Sequence, residues 1–260
     1  ALPIPATALL PLVLFPVLGI ADVDAAARPY AHPLIFLFMG GFMIALAMER
    51  WGLPRRISLM VIRGLGTGAR RLIAGFMLST AFFSMWVSNT ATTLMMLPIG
   101  LSVIHLVERE APRGGRSRFN VALMLGIAYA ASIGGVGTLI GTPPNAFMAG
   151  YLSETYGVEV GFARWMAVGL PLVAVALPVA YLLLTRVLFP LEIERIPGGR
   201  ELIETELEEM GPMSTAERRV AAVFALTALA WITRPLLDEW VTGLSDAGIA
   251  MTGAALLFLV

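Results

Sequence analysis

The chain contains no cysteine and no lysine, has only two histidines, and carries little charge of either sign. Without cysteine there is no disulfide, no thiolate metal ligand and no thiol nucleophile. His32 and His105 are too few and too isolated for a zinc constellation. All 18 basic residues are arginine and balance 18 acidic ones, so the formal net charge is +0 and no basic face argues for nucleic acid. Charged residues make up 14% of the chain, against about 25% in a soluble domain. The deficit is concentrated: 72–107 and 119–153 contain no Arg, Asp or Glu. A proton relay of carboxylates therefore cannot be built in those stretches. No n-region and cleavage site of a signal peptide is visible. Residue 1 is Ala at the edge of an apolar stretch and Val260 lies inside another. The sequence reads as a piece of a longer membrane protein.

What is present is apolar: 58% of residues are hydrophobic. A bilayer span needs roughly 20 mostly apolar residues, and the long uncharged runs predict an all-α polytopic membrane protein. Residues 2–20 form a first span, made irregular by prolines at 3, 5, 11 and 16. Residues 33–48 form a second, whose Gly40-Gly41 suits close helix packing. In 49–71, Leu53, Ile57, Met60 and Val61 recur at helical spacing among Arg50, Arg55, Arg56 and Arg63, the pattern of a helix lying along the interface. Residues 165–189 cross back. The glutamate-rich stretch 190–219 is expected to be an amphipathic connector on the inner face with a solvated charged surface. Another crossing begins near 221, an outer loop spans 234–246, and 247–260 starts the next span.

The run 72–107 has Ser88-Asn89-Thr90 near its middle. Arms of about 15 residues reach roughly 23 Å as helix, short of the ~30 Å hydrocarbon core. A re-entrant hairpin with a polar tip fits better than two crossings. Arginines 50, 55, 56, 63, 70 and 71 precede the run and 109, 113, 116 and 118 follow it, so both ends face the inner side. In 134–145 four glycines and Pro143-Pro144 interrupt the next apolar helix.

Polar groups at such depth are costly unless paired or engaged with a solute. Hydroxyls, amide oxygens and carbonyls freed at a helix break suit a hard cation such as Na⁺, while the N-termini of broken helices favour an anion. Ser84, Ser88, Asn89, Thr90, Gly137, Thr138, Thr142 and Asn145 supply both kinds of group. A bound cation would add the positive charge that the protein lacks, so cation and anion should bind cooperatively. By contrast, Ser79, Thr80, Thr92, Thr93 and Ser132 are expected to bond back to the preceding helical turn. His105 falls near the interface at the inner end of its arm.

These motifs resemble the divalent anion/sodium symporter family. The resemblance covers nearly the whole chain and rests on Phe83-Ser84-Met85-Trp86, Ser88-Asn89-Thr90 and Gly141-Thr142-Pro143-Pro144-Asn145, with weaker agreement at 37–42 and 97–99. It implies a transporter of two inverted repeats, each with a re-entrant hairpin and a broken transmembrane helix. This chain would cover the first repeat and the start of the second, as the N-terminal half of a sodium/dicarboxylate transporter. Residues 1–71 would be scaffold, 72–107 and 108–189 transport domain moving as an elevator, 190–219 the cytoplasmic connector and 220–260 scaffold again. Ser84, Ser88, Asn89 and Gly137 would coordinate Na⁺. Asn89, Thr90, Thr138, Thr142 and Pro143 would hold the anion, supported by Gly134, Gly135, Gly141 and Asn145. The family further implies inward Na⁺-coupled transport of a C4-dicarboxylate across the plasma membrane, no organic cofactor, and a homodimer formed through the scaffold. The family's second Ser-Asn-Thr is absent here, so these residues provide half a site.

Other readings make distinct demands. Sodium-independent dicarboxylate exchange, or transport of sulfate or citrate, would use the same groups. An intramembrane serine protease would pair Ser88 with His105, which lies about 25 Å away along one helix. A passive channel would need charged rings that these stretches lack.

Overall fold

The computed structural model describes residues 3–110, 116–194, 196–238, 240 and 243–259, which among themselves form helices and connections without a strand. Helix α1 (Ile4–Val17) runs through Pro11 and Pro16 with no residue buried. At 14 residues, or about 21 Å, it is shorter than the expected 2–20 span. Asp22 caps the short α2 (Val23–Ala27) by accepting from the Ala25 N–H at 2.6 Å. A 3₁₀ turn, Arg28–Ala31, follows. Its Tyr30 hydroxyl donates to the Ala8 carbonyl at 2.5 Å and so ties α1 back.

Helix α3 (Pro33–Arg50) buries Gly40 and Gly41. A Cβ on Gly40 would come within 2.6 Å of the Ala250 backbone, so only glycine permits this approach to α12 (Asp246–Leu256). The helix-packing reading of this pair thus meets a real contact. Helix α4 (Leu53–Leu65) begins after Gly52 at φ +70 and ends at Gly66 at φ +93, both left-handed positions that favour glycine. Its apolar stripe, including Leu53, Leu59 and Ile62, is buried. That stripe packs on α5 (Ala69–Ser84) and α10 (Gly199–Glu209), so protein rather than lipid covers the face expected to meet the interface.

The hairpin is α5, a turn at 85–88, and α6 (Asn89–Glu110). The equal-arm expectation holds for α5 alone. Helix α6 has 22 residues, about 33 Å, because it continues past 107 through charged residues and accommodates Pro98 internally. Arm length therefore separates a re-entrant arm from a crossing for α5 but not for α6. The interrupted helix is α7 (Arg116–Gly135), a loop, and α8 (Pro143–Tyr156). Helix α9 (Phe162–Leu182) passes into a π-helical turn, Leu183–Leu188.

Helix α11 (Thr215–Leu237) starts earlier and ends later than the sequence pattern placed it, taking in Arg234. Ser214 caps it through the Glu217 N–H at 3.1 Å. The glutamates of the connector are not simply a solvated surface. Glu206 meets Arg55 at 2.5 Å and Glu217 meets Arg56 at 2.6 Å, the latter with both side chains largely buried. Charge pairing with α4 is what allows these carboxylates into the interior.

Among the described residues, four helices are long and apolar enough to cross a membrane: Pro33–Arg50, Asn89–Arg109, Phe162–Leu188 and Thr215–Leu237. Leu94, Val168 and Leu226 are among many exposed apolar side chains, the outer face expected where the solvent is lipid. One apolar core joins α4, α5, α6, α7, α9 and α10. A second joins α3, α11 and α12 to the hairpin turn and to the loop before α8.

Candidate functional site

The hairpin turn is closed by its own backbone. The N–H groups of Trp86 and Val87 donate to the Phe83 carbonyl at 2.9 and 2.8 Å, ending α5. Ser88 then starts α6: its hydroxyl accepts from the Ala91 N–H at 3.2 Å and its carbonyl from the Thr92 N–H at 2.9 Å. The N–H groups of Asn89 and Thr90 carry no hydrogen bond among the described residues. The positive end of the α6 dipole is therefore open at the tip.

The glycines of the second break bring it against this turn. A Cβ on Gly134 would lie 2.2 Å from the Ala81 carbonyl oxygen, and one on Gly135 would lie 2.2 Å from Asn89 Oδ1. A Cβ on Gly141 would meet the carbonyls of Gly135 at 2.5 Å and Ser84 at 3.0 Å. Any side chain there would separate the two breaks. They form a single site neighbourhood.

At the contact, Ser84 Oγ lies 2.6 Å from both Asn89 Oδ1 and the Ala131 carbonyl oxygen. One hydroxyl hydrogen serves only one of them, with the amide orientation assigned from the network. The cluster has more lone pairs than protons, the donor set a hard cation prefers. Ala131 had no sequence signal, because the group it contributes is backbone.

The other expected residues fall into two sets. Thr138 is fully buried; its hydroxyl donates to the Met85 carbonyl and accepts from the Gly141 N–H at 3.1 Å. Asn145 is buried and donates through Nδ2 to the carbonyls of Gly135 at 2.8 Å and Thr138 at 2.7 Å. These two side chains staple the loop to itself and to the hairpin. Gly137 donates to the Gly134 carbonyl at 2.8 Å, and its own carbonyl lies against Gly169 of α9. The Trp165 indole donates to the neighbouring Val136 carbonyl at 2.9 Å.

Thr90 and Pro143 are exposed, while Ser88, Asn89 and Thr142 are half-buried. Thr142 precedes α8 without capping it through its side chain. The first two positions of α8 are prolines, which have no N–H to offer an anion. Its contribution there is reduced to the dipole, the Thr142 hydroxyl and later amides.

Not every embedded hydroxyl follows the back-bonding rule. Thr80, Thr93 and Ser132 do, donating to the carbonyls four residues earlier at 2.6, 2.8 and 3.3 Å. The hydroxyls of Ser79 and Thr92 are buried without a partner among the described residues. His105 is exposed on α6, about 25 Å from the tip. It supplies no base to Ser88.

A family model described as the sodium:sulfate symporter transmembrane region matches residues 1–260. The sodium-dependent dicarboxylate transporter of Staphylococcus saprophyticus subsp. saprophyticus is 43% identical over 267 residues, covering 100% of this chain and 51% of that protein. The sodium-dependent dicarboxylate transporter of Staphylococcus aureus is 42% identical with the same coverage. The chain spans about half the length of the curated relatives it matches.

Proposed function

From a chain that belongs to the sodium:sulfate symporter family, a family of multi-pass membrane transporters and not of enzymes, we propose Na⁺-coupled uptake of a dicarboxylate. The substrate class is C4: succinate, malate or fumarate. The observation that carries the reading is the oxygen cluster of Ser84, Asn89 and Ala131 beneath the open N-terminus of α6. The cluster suits Na⁺; the unbonded amides of Asn89 and Thr90 suit one carboxylate. Asn89 would serve both, its oxygen toward the cation and its N–H toward the anion. This sharing gives a physical route to coupling, since each ligand offsets the charge of the other.

Ser88 and Gly137 complete the proposed cation set, and Thr142 and Pro143 line the anion side of the loop. Thr138 acts by holding that loop, together with Gly134, Gly135, Gly141 and Asn145. The remaining anion contacts would come from a second repeat, and movement of the hairpin and broken helix as an elevator within a homodimer would carry both solutes across. The dicarboxylate assignment draws on relatives whose names give that substrate.

Radiolabelled succinate uptake by the full-length protein in liposomes, across a sodium gradient and with citrate and sulfate as competitors, tests this. Uptake should vanish without sodium and be competed weakly by sulfate. Sodium-independent uptake driven by internal dicarboxylate would replace symport with exchange.

A further inference from the structure

The hairpin turn has a second face. Beside the polar Ser88 and Asn89 it carries Trp86, one of the chain's largest side chains, which is 8% exposed. The Trp86 ring stacks on Trp231 of α11 at 6.5 Å and 12°, and on Phe162 of α9 at 6.0 Å and 23°. It meets Phe224 of α11 edge-on at 5.2 Å. Phe162 and Trp231 are themselves stacked at 4.5 Å and 12°, so they form a pad of two near-parallel rings against which Trp86 packs.

Asp246, at the start of α12, fixes both rings of the pad. Its carbonyl accepts from the Trp231 indole at 3.0 Å, and its carboxylate accepts from the Phe162 N–H at 2.8 Å. Arg234 holds that carboxylate at 3.0 Å. Val87 is buried beside Trp86 in the same apolar core. The turn is thus anchored on one side by rings from helices outside the hairpin.

We infer that Trp86 is a positioning residue: its seat on the Phe162–Trp231 pad holds the hairpin tip in the one arrangement that brings Asn89 Oδ1 to Ser84, and so sets sodium affinity. Only Met85 and Trp86 separate Ser84 from Val87. Met85 and Val87 join the same apolar core, and Trp86 is the turn's aromatic ring, the side chain that meets the pad. When Trp86 leaves the pad with no sodium bound, residues 85–88 lose their fixed position and the oxygen cluster opens; a bound sodium ion would hold the cluster closed while the hairpin moves away from α11. Apparent affinity then falls by the fraction of molecules that remain seated. The indole Nε1 of Trp86 is buried without a partner among the described residues, so stacking rather than a hydrogen bond retains the ring. The sodium part of this inference rests on the function proposed above; the seat itself does not.

The test uses the full-length protein in liposomes with Trp231→Ala, Trp231→Phe and Phe224→Leu. Trp231→Ala should raise the sodium concentration for half-maximal succinate uptake by roughly tenfold, equivalent to about 1.4 kcal/mol. Succinate half-saturation at saturating sodium should stay within about twofold. Trp231→Phe, which keeps a ring on the pad, should restore most of the sodium response, and Phe224→Leu should give a smaller shift of the same sign. A second readout needs no transport: Val87→Cys, in a full-length protein carrying no other cysteine, should react slowly with maleimide. It should react faster in the Trp231→Ala background and slower when sodium is added. An unchanged sodium response in Trp231→Ala, or unchanged Val87→Cys labelling, overturns the inference. Faster labelling in a protein whose unmodified form shows no sodium-dependent uptake would uphold the seat and reject the transport reading instead.

Discussion

A single hydroxyl hydrogen between two oxygen acceptors is the most consequential detail of this chain. Ser84 Oγ sits 2.6 Å from Asn89 Oδ1 and from the Ala131 carbonyl, and either side chain can be removed separately. Asn89→Ala deletes one oxygen of the cluster and should weaken sodium-dependent uptake about tenfold or more, since a ligand or hydrogen bond to a charge contributes about 1.5–3 kcal/mol. Ser84→Ala should act in the same direction, and a sodium titration of uptake checks both. Neither Ser84, Ser88, Asn89, Thr90, Thr138, Thr142 nor Asn145 titrates near neutrality. Sodium affinity should therefore be flat between about pH 6 and 8, with any pH dependence following ionisation of the substrate. A sodium half-saturation that moved severalfold over that range would count against the cluster as the site. The glycines are equally specific. Gly134→Ala drives a methyl into the Ala81 backbone and should cost about 1–3 kcal/mol, seen as a lower thermal transition in detergent. Gly64→Ala, with open space around it, should be neutral or slightly stabilising by up to about 1 kcal/mol. The Ser-Asn-Thr triplet and the glycine-proline run were legible because side-chain polarity and helix breaking are written in residue type. Ala131 and Met85 were not, because what they contribute is a carbonyl that every residue owns.

Among the helices, the hairpin and the broken helix were legible from runs of uncharged residues bounded by arginines. The length of α6 was not, because a helix can carry charge past the end of an apolar run. What covers the apolar face of α4 was not legible for a related reason. Amphipathic periodicity says that one face is buried without saying in what. Here α5 and α10 bury it, and ion pairs of Arg55 with Glu206 and of Arg56 with Glu217 tie the helix further. Arg56 also donates to the Gly211 carbonyl at 2.8 Å, clamping α4 to the connection before α11. The two ion pairs should differ sharply in weight. Glu217→Gln leaves a buried guanidinium without its counter-charge and should cost about 3–5 kcal/mol, whereas Arg56→Met with Glu217→Leu should recover most of it. Glu206→Gln, whose arginine partner is well exposed, should cost no more than about 1 kcal/mol. A double-mutant cycle on the thermal transition separates these cases.

Across the whole molecule, two regions distant in sequence become one surface: the turn at 85–88 and the loop between α7 and α8. Their juxtaposition was expected from the shared logic of broken helices, but sequence pattern alone could not show which side of each break faced the other. Glycine decided it, since Gly134, Gly135 and Gly141 leave room only for the hairpin. The result is a layered arrangement, with the oxygen cluster at the contact, the Thr138 and Asn145 staples behind it, and the apolar pad holding Trp86 beyond. What these residues leave open is the outward face of Thr90, Thr142 and Pro143, where a doubly charged solute would have contacts to one carboxylate only. The second carboxylate would need another set of neutral donors, and relatives about twice as long as this chain have room for one. Residues 1–260 alone should therefore bind sodium weakly and move no dicarboxylate. Liposomes containing only this stretch should show no succinate uptake above protein-free vesicles across a sodium gradient, while the full-length protein does. Saturable uptake by residues 1–260 would mean that one hairpin and one broken helix suffice, and the division of the site between two repeats would fall.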